Sequence, residues 1–222
     1  MVDWQTIDTV LLDMDGTLLD LRYDNTLWNE LVPERYSLAQ GLELNAARQT
    51  LFAQMSELRG DLLFYCLDHW ASYTELDIVG LHRELAHLIS YRPNAERFLN
   101  QVRAAGKRSL LVTNAHRDSL RVKDQHSDLI EKLDKDISCH DYGAPKEDPR
   151  FWARLRREHR YDPQRTLLID DNAAVLEAAE QSGIRHLITV ARPDSGRPAR
   201  TGLSHRAIHD FEEIMPGAAA SP

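Results

Sequence analysis

Four short apolar runs constrain this chain more than any other feature. They are Thr9 to Asp13 (TVLLD), Ser109 to Thr113 (SLLVT), Thr166 to Asp170 (TLLID) and His186 to Val190 (HLITV), and three of them close on a polar residue. A continuous run of branched and aliphatic side chains suits a strand buried on both faces, because a half-exposed strand would alternate. The three later runs each follow a segment of helical periodicity, and that alternation predicts a parallel sheet wrapped by helices. With 222 residues, 42% of them hydrophobic, the chain is long enough for one large domain or for a core carrying an insertion.

The helix boundaries are legible in two places. Before the second run, Pro93 marks a start, Phe98, Leu99 and Val102 share a face, and Gly106 lies just past the end. After Asp171, Asn172 is placed as an N-cap, Ala174, Val175, Ala178 and Ala179 recur at helical spacing, and Gly183 supplies a left-handed stop. Between about Leu21 and Tyr91 no buried-strand run occurs and the apolar residues recur three and four apart. The clearest case is Leu62, Leu63, Cys66, Leu67 and Trp70, which predicts one helix capped by Asp61. Such an insertion follows the first strand at once, so it must sit over the carboxyl ends of the strands, where parallel sheets bind ligands. The expected division is a core of residues 1–20 and 92–222 with an α-helical cap of residues 21–91.

Charge and composition exclude several classes. A formal charge of −8 works against a nucleic-acid backbone or an anionic membrane surface as partner. The start, Met1-Val2-Asp3-Trp4, lacks a charged region followed by an apolar run, and no stretch approaches the roughly 20 apolar residues of a membrane span, so a cytoplasmic protein is expected. Cys66 and Cys139 lie far apart and are expected to be buried free thiols, and the ten histidines show no His-Glu-x-x-His pattern and are assigned no chemistry. The arginines from Arg192 to Arg206 alternate with prolines and glycines, which describes a surface connection.

The chemistry gathers where the runs end. Asp13 and Asp15, two apart in an extended segment, face the same way, and Gly16 lets the backbone turn after them. The second run ends in Thr113-Asn114 and the third in Asp170-Asp171, while Lys146 follows Pro145 in a polar stretch. Each feature alone is ordinary: an Asp-Gly turn, an asparagine bend, a capping acid, a surface lysine. Together they bring Asp13, Asp15, Asp170 and Asp171 to one sheet edge, and two carboxylates about 4 Å apart repel by roughly 4 kcal/mol at an effective dielectric near 20. Oxygen ligands without cysteine or histidine point to a hard cation, Mg²⁺ where phosphate oxygens complete the shell, and Lys146 adds a second positive charge.

The ordered set DMDGT, VTN, a lysine in a Pro-Lys-Glu-Asp context and IDDN resembles the haloacid dehalogenase-like hydrolase superfamily. The resemblance implies an α/β fold, a Rossmann-like parallel sheet core with helices on both faces and an inserted α-helical cap. It also implies Mg²⁺-dependent hydrolysis of phosphate monoesters. By that resemblance Asp13 is the nucleophile that forms an aspartyl-phosphate, and Asp15 is the acid that protonates the leaving alcohol and then activates water. Thr113 holds the phosphoryl oxygens, Lys146 pairs with nucleophile and phosphate, and Asp170 and Asp171 are the acidic pair of a metal site shared with Asp13 and the Asp15 carbonyl. Asp171 aligns better with the direct ligand. The acid at Asp15 disfavours dehalogenation, since the dehalogenases proper lack it. The phosphate loop G-x-x-x-x-G-K-[ST] and the dinucleotide fingerprint are absent.

A narrower resemblance is to bacterial GMP/IMP nucleotidases, carried by Leu18-Leu19-Asp20-Leu21, Asp24-Asn25 and Trp28, Leu31-Val32-Pro33-Glu34, Tyr65-Cys66-Leu67-Asp68, Thr113-Asn114-Ala115-His116, Tyr142-Gly143 with Pro145-Lys146-Glu147-Asp148, and Pro193-Asp194-Ser195-Gly196. It implies purine nucleoside monophosphates as substrate. Asn114, Asp24, Asn25 and Trp28 are candidate substrate-binding residues, with Tyr23, Tyr65 and Trp70 as further aromatic candidates, although aromatic residues at helical spacing usually pack inward. A phosphomutase or sugar-phosphate phosphatase of the same superfamily, and a non-catalytic binding module, are the alternatives.

Overall fold

The computed structural model describes residues 2–217; Met1 and the low-complexity tail Ala218 to Pro222 lie outside the described residues. The regular elements run in the order β1 (Thr9–Leu12), α1 (Arg22–Thr26), α2 (Val32–Gln40), α3 (Leu44–Glu57), α4 (Leu67–Thr74), α5 (Ile78–Glu84), α6 (Ala95–Ala104), β2 (Arg108–Thr113), α7 (Arg117–Ser127), β3 (Lys135–Ser138), α8 (Pro149–His159), β4 (Thr166–Ile169), α9 (Ala173–Gln181), β5 (His186–Val190) and β6 (Ala207–Ile208).

The six strands form one sheet in the order β3-β2-β1-β4-β5-β6, and every neighbouring pair is parallel. Because side chains alternate along a strand, β1 feeds both faces: Val10 and Leu12 pack with Phe98, Leu99 and Val102 of α6 and Leu120 of α7, whereas Leu11 packs with Phe151, Trp152 and Leu155 of α8 and Val175 and Leu176 of α9. Full burial of each such leucine contributes about 1.5–3 kcal/mol. This is the two-sided α/β core, Rossmann-like in its layering, that the apolar runs predict.

Two strands were not legible as apolar runs. Both lie at sheet edges, where partial exposure breaks the run: in β3, Lys135 is exposed and Asp136 half-buried, and in the two-residue β6, Ala207 is half-buried. The expected caps are present, with Asn172 accepting the Ala174 N–H at 3.0 Å and Gly183 at φ +95°.

Between β1 and α6 the chain builds α1 to α5, with α1 running into α2 through a π-helical segment, Leu27–Leu31, and with a hydrophobic cluster of their own around Leu27, Leu31, Leu51, Leu67, Trp70, Ile78 and Leu81. The chain enters and leaves this helical stretch side by side, Asp20 N–H donating to Ser90 at 2.9 Å and Arg92 N–H to Leu18 at 2.9 Å. One expectation is corrected here. The single helix foreseen from Asp61 is a 3-10 turn, Leu62–Tyr65, followed by α4, because Cys66 takes an extended conformation (φ −83°, ψ 111°) between them. Asp61 still caps the turn, accepting the Leu63 N–H. The break leaves Cys66 half-buried, unlike the buried thiol expected, and only Cys139 is fully buried.

Candidate active site at the carboxyl edge of the sheet

Strand register builds the site. Leu12 lies opposite Ile169, so the next residues, Asp13 and Asp170, leave the sheet side by side, and β2 ends on Thr113 one strand away. Asp13, Asp170 and Asp171 each present a carboxylate oxygen within 4.8 Å of the others. Gly16 makes this approach possible: at φ +84° it turns the chain away from β1, and a Cβ there would stand 2.9 Å from the Asp171 carboxylate.

Lys146 is 2% exposed, and its ammonium donates to Asp13 Oδ1 at 2.5 Å, Asp170 Oδ2 at 2.7 Å and the Val112 carbonyl at 3.0 Å. The loop that carries it is fixed by the Trp152 indole N–H donating to the Lys146 carbonyl at 2.7 Å and by the Lys146 N–H donating to Asn114 Oδ1 at 2.9 Å. Thr113 is buried, and its hydroxyl oxygen accepts the Ala115 N–H at 3.0 Å, which leaves the hydroxyl proton for another acceptor.

The carboxyls cannot all ionise on this one lysine. Burial pushes the Asp13 carboxyl upward, with Lys146 opposing and Asp15 adding. Burial, against Lys146 and with Asp13, pushes Asp170 up to about 7, and burial together with Asp13 and Asp170 carries Asp171 well above the carboxylate range. Two carboxylates within 4.8 Å of one another repel by at least about 3.5 kcal/mol at an effective dielectric of 20. An oxygen donor set of this charge fits a hard divalent ion such as Mg²⁺, which would restore the ionised forms.

Comparison with known proteins agrees with this geometry. Residues 7–183 match the haloacid dehalogenase-like hydrolase family. The chain is 40% identical over 215 residues, 97% of both chains, to the GMP/IMP nucleotidase YrfG of Escherichia coli (strain K12), and equally to that of Shigella flexneri. The chain belongs to the haloacid dehalogenase-like hydrolases. This hydrolase is an enzyme of the phosphatase kind. Its fold is shared with a HAD phosphatase from Thermococcus onnurineus (TM-score 0.79, 19% identity, 94% of this chain and 96% of that one). It is also shared with the L-2-haloacid dehalogenase of Xanthobacter autotrophicus (TM-score 0.55, 18% identity, 86% and 80%).

Two adjoining cavities open over the hydrolase's carboxylates. One of about 170 Å³ is lined by Asp13, Thr113, Asn114, Lys146, Asp170 and Asp171. The other, about 320 Å³, is lined from the helical stretch by Asp24, Asn25, Trp28, Phe64, Tyr65, Trp70 and His82. Asp15, Leu21, Tyr65 and Ala115 border both, so the two lie side by side.

The expected substrate-binding residues differ in what they hold. Trp28 lines the larger cavity with its ring 5.6 Å from that of Trp70. Asn25 lines it too, but its amide donates to Asp194 at 2.6 Å, tying the helical stretch to the loop after β5. Asn114 donates to Glu147 at 2.9 Å and steadies Lys146. Tyr23 is buried, its hydroxyl 2.8 Å from His82 Nδ1.

Asp24 is bound to a residue that the motifs did not reveal. Lys123 of α7, 1% exposed, donates at 2.6 Å to Asp15 and at 2.6 Å to Asp24. Burial, then repulsion from Asp24, pushes Asp15 up to about 6, against the pull of Lys123. In sequence Lys123 sits in a polar run that suggests a solvated face. The available signal is its spacing, since it falls three residues after Leu120 and four after Ser119, both buried. Glu147 was also missed as a hub: it accepts from Tyr65, Asn114 and Asn172 at 2.9, 2.9 and 3.1 Å.

Proposed function

We propose that this enzyme is a Mg²⁺-dependent 5′-nucleotidase that hydrolyses purine nucleoside monophosphates, GMP and IMP, through an aspartyl-phosphate on Asp13. The observation that carries the reading is the adjacency of the two cavities. A phosphate-sized space with Asp13 and Lys146 adjoins an apolar, aromatic-walled space at the lower end of the size usual for small-ligand sites. A flat base needs such walls, and the relative of known activity, 40% identical over 97% of its length, is named for GMP and IMP.

In this reading an Asp13 oxygen attacks phosphorus while the ester oxygen departs with the Asp15 proton. Asp15, now a carboxylate, takes a proton from water, the water oxygen attacks phosphorus, and the Asp13–phosphorus bond breaks to give inorganic phosphate. Lys146 and the Thr113 hydroxyl donate to the phosphoryl oxygens as charge develops on them. Asp13, Asp171 and the Asp15 carbonyl would hold Mg²⁺, with Asp170 beside them, and the ion when bound neutralises phosphoryl charge. Residues 21–91 act as a cap over a core of residues 1–20 and 92–222, and Trp28, Asn25 and Asp24 belong to the cap wall around the nucleoside.

A phosphate-release screen over purine and pyrimidine monophosphates and sugar phosphates tests the reading. The expected result is highest kcat/KM on GMP and IMP, abolished by chelator and restored by Mg²⁺. Preference for a sugar phosphate, or isomerisation of one without phosphate release, would overturn it in favour of a sugar-phosphate phosphatase or phosphomutase.

A further inference from the structure

The histidines and the half-buried cysteine, given no chemistry in the sequence, meet in space. Ligand atoms of Cys66, His116 and His140 all lie within 4.8 Å of one another, although the residues are 50 and 24 positions apart in the chain. Cys66 stands at the break before α4, His116 at the head of α7, and His140 just after β3, so the group straddles the helical stretch and the sheet edge.

Three details suit these atoms to a borderline-soft metal. His140 Nε2 is buried and has no hydrogen-bond partner. Burial, together with the neighbouring His116, pulls the His140 pKa below its ordinary value, so the ring is neutral at neutral pH and keeps a lone pair. His116 Nδ1 accepts the Asp118 N–H at 3.3 Å, so the neutral ring keeps its lone pair on Nδ1 and its proton on Nε2, which stands 3.8 Å from the exposed Asp68 carboxylate; a metal on Nδ1 would replace the Asp118 contact and leave Asp68 as the outer carboxylate of a ligating ring. Tetrahedral zinc with bonds of about 2.0–2.3 Å sets ligand atoms roughly 3.4–3.7 Å apart, so the three atoms, each within 4.8 Å of the others, reach ligand spacing with inward shifts of under about 1 Å.

We propose that Cys66, His116 and His140 form a three-ligand site, its fourth position open to solvent, for a zinc-class divalent cation that clasps the helical stretch to the core. It is separate from the acidic site, which has only oxygen donors. The binding claim stands independently of the nucleotidase reading. Its consequence rests on that reading: the clasp holds the cavity shut over the phosphate site and slows turnover.

The test uses the full chain with Mg²⁺ in excess, titrated with Zn²⁺ by calorimetry and with Co²⁺ by absorbance. One Zn²⁺ per chain is expected at micromolar affinity or tighter, with a thiolate-to-cobalt charge-transfer band in the near ultraviolet. Outer partners of a metal ligand alone are worth about 10–100-fold in affinity, so Cys66→Ser and His140→Asn should each weaken Zn²⁺ by at least about 10-fold, and Cys66→Ser should lose the band. No thiolate band in the wild-type protein, or unchanged Zn²⁺ affinity in both variants, would overturn the site. Wild-type Zn²⁺ inhibition of phosphate release that persists undiminished in Cys66→Ser would overturn the clasp. Failure of the wild-type protein to hydrolyse GMP or IMP would overturn the nucleotidase reading and leave the binding result standing.

Discussion

Lys123→Met removes one buried charge and exposes the logic of the site most fully. The ammonium is the shared partner of Asp15 and Asp24, each at 2.6 Å, and the methionine stem fills most of the same space. Breaking a buried pair by deleting one partner costs about 3–5 kcal/mol. Because the Asp15 and Asp24 side chains keep 22% and 19% exposure, water relieves part of the penalty and the lower end, about 3 kcal/mol, applies. For a chain of this size each kcal/mol lowers Tm by roughly 2–4 °C, giving a fall of about 6–12 °C by differential scanning calorimetry in Mg²⁺ buffer. Adding Asp24→Asn removes the repulsion left behind and should recover part of that loss, a coupling that two independent sites would not show. In kinetics, kcat/KM on nucleotides should fall by at least about 10-fold as Asp15 loses its position, with a smaller loss of kcat/KM on aryl phosphates, whose leaving group needs no proton in the first half-reaction. A Tm within about 2 °C of wild type, or equal losses on both substrate types, would refute the reasoning.

Gly16→Ala forces an alanine to φ +84° and sets its Cβ 2.9 Å from the Asp171 carboxylate, so stability should drop by about 2 kcal/mol or more and activity by at least about 10-fold; wild-type kinetics would contradict the close approach. In chelator, stability should decline with rising pH. Asp15 at about 6 and Asp170 at about 7 stand above their unfolded value near 3.8, so the folded state binds more protons between roughly pH 4 and 7 and loses that advantage as pH rises through the folded values. Tm should therefore be higher at pH 5 than at pH 8, and Mg²⁺ should raise it more at pH 8. A larger Mg²⁺ effect at pH 5 would refute the metal's place among these carboxylates.

Legibility followed burial. Strands β1, β2, β4 and β5 announced themselves because interior strands are walled on both faces, and their polar ends, Asp13, Thr113 and Asp170, marked the candidate site for the same reason: a dry run that closes on a polar residue needs a use. Edge strands β3 and β6 carried no such run. Trp28, Tyr65 and Trp70, aromatic candidates in the sequence, line the larger cavity, but the sequence could not show that Asn25 spends its amide on Asp194. What sequence could not reveal was pairing across long separations. Lys123 meets Asp15 over 108 residues, and Cys66 meets His116 only because an extended residue interrupts an otherwise helical pattern.

The central claim is that Asp13 carries the phosphoryl group between two half-reactions. Asp15→Asn, given an activated aryl phosphate, can still be attacked at phosphorus but lacks the base that releases the product. Acid-quenched during turnover and digested, that variant should show the phosphoryl mass on the peptide containing Asp13, assigned by fragmentation to Asp13 itself. Phosphoryl on any other residue, or phosphate formed at the full wild-type rate with none trapped on Asp13, would contradict the account.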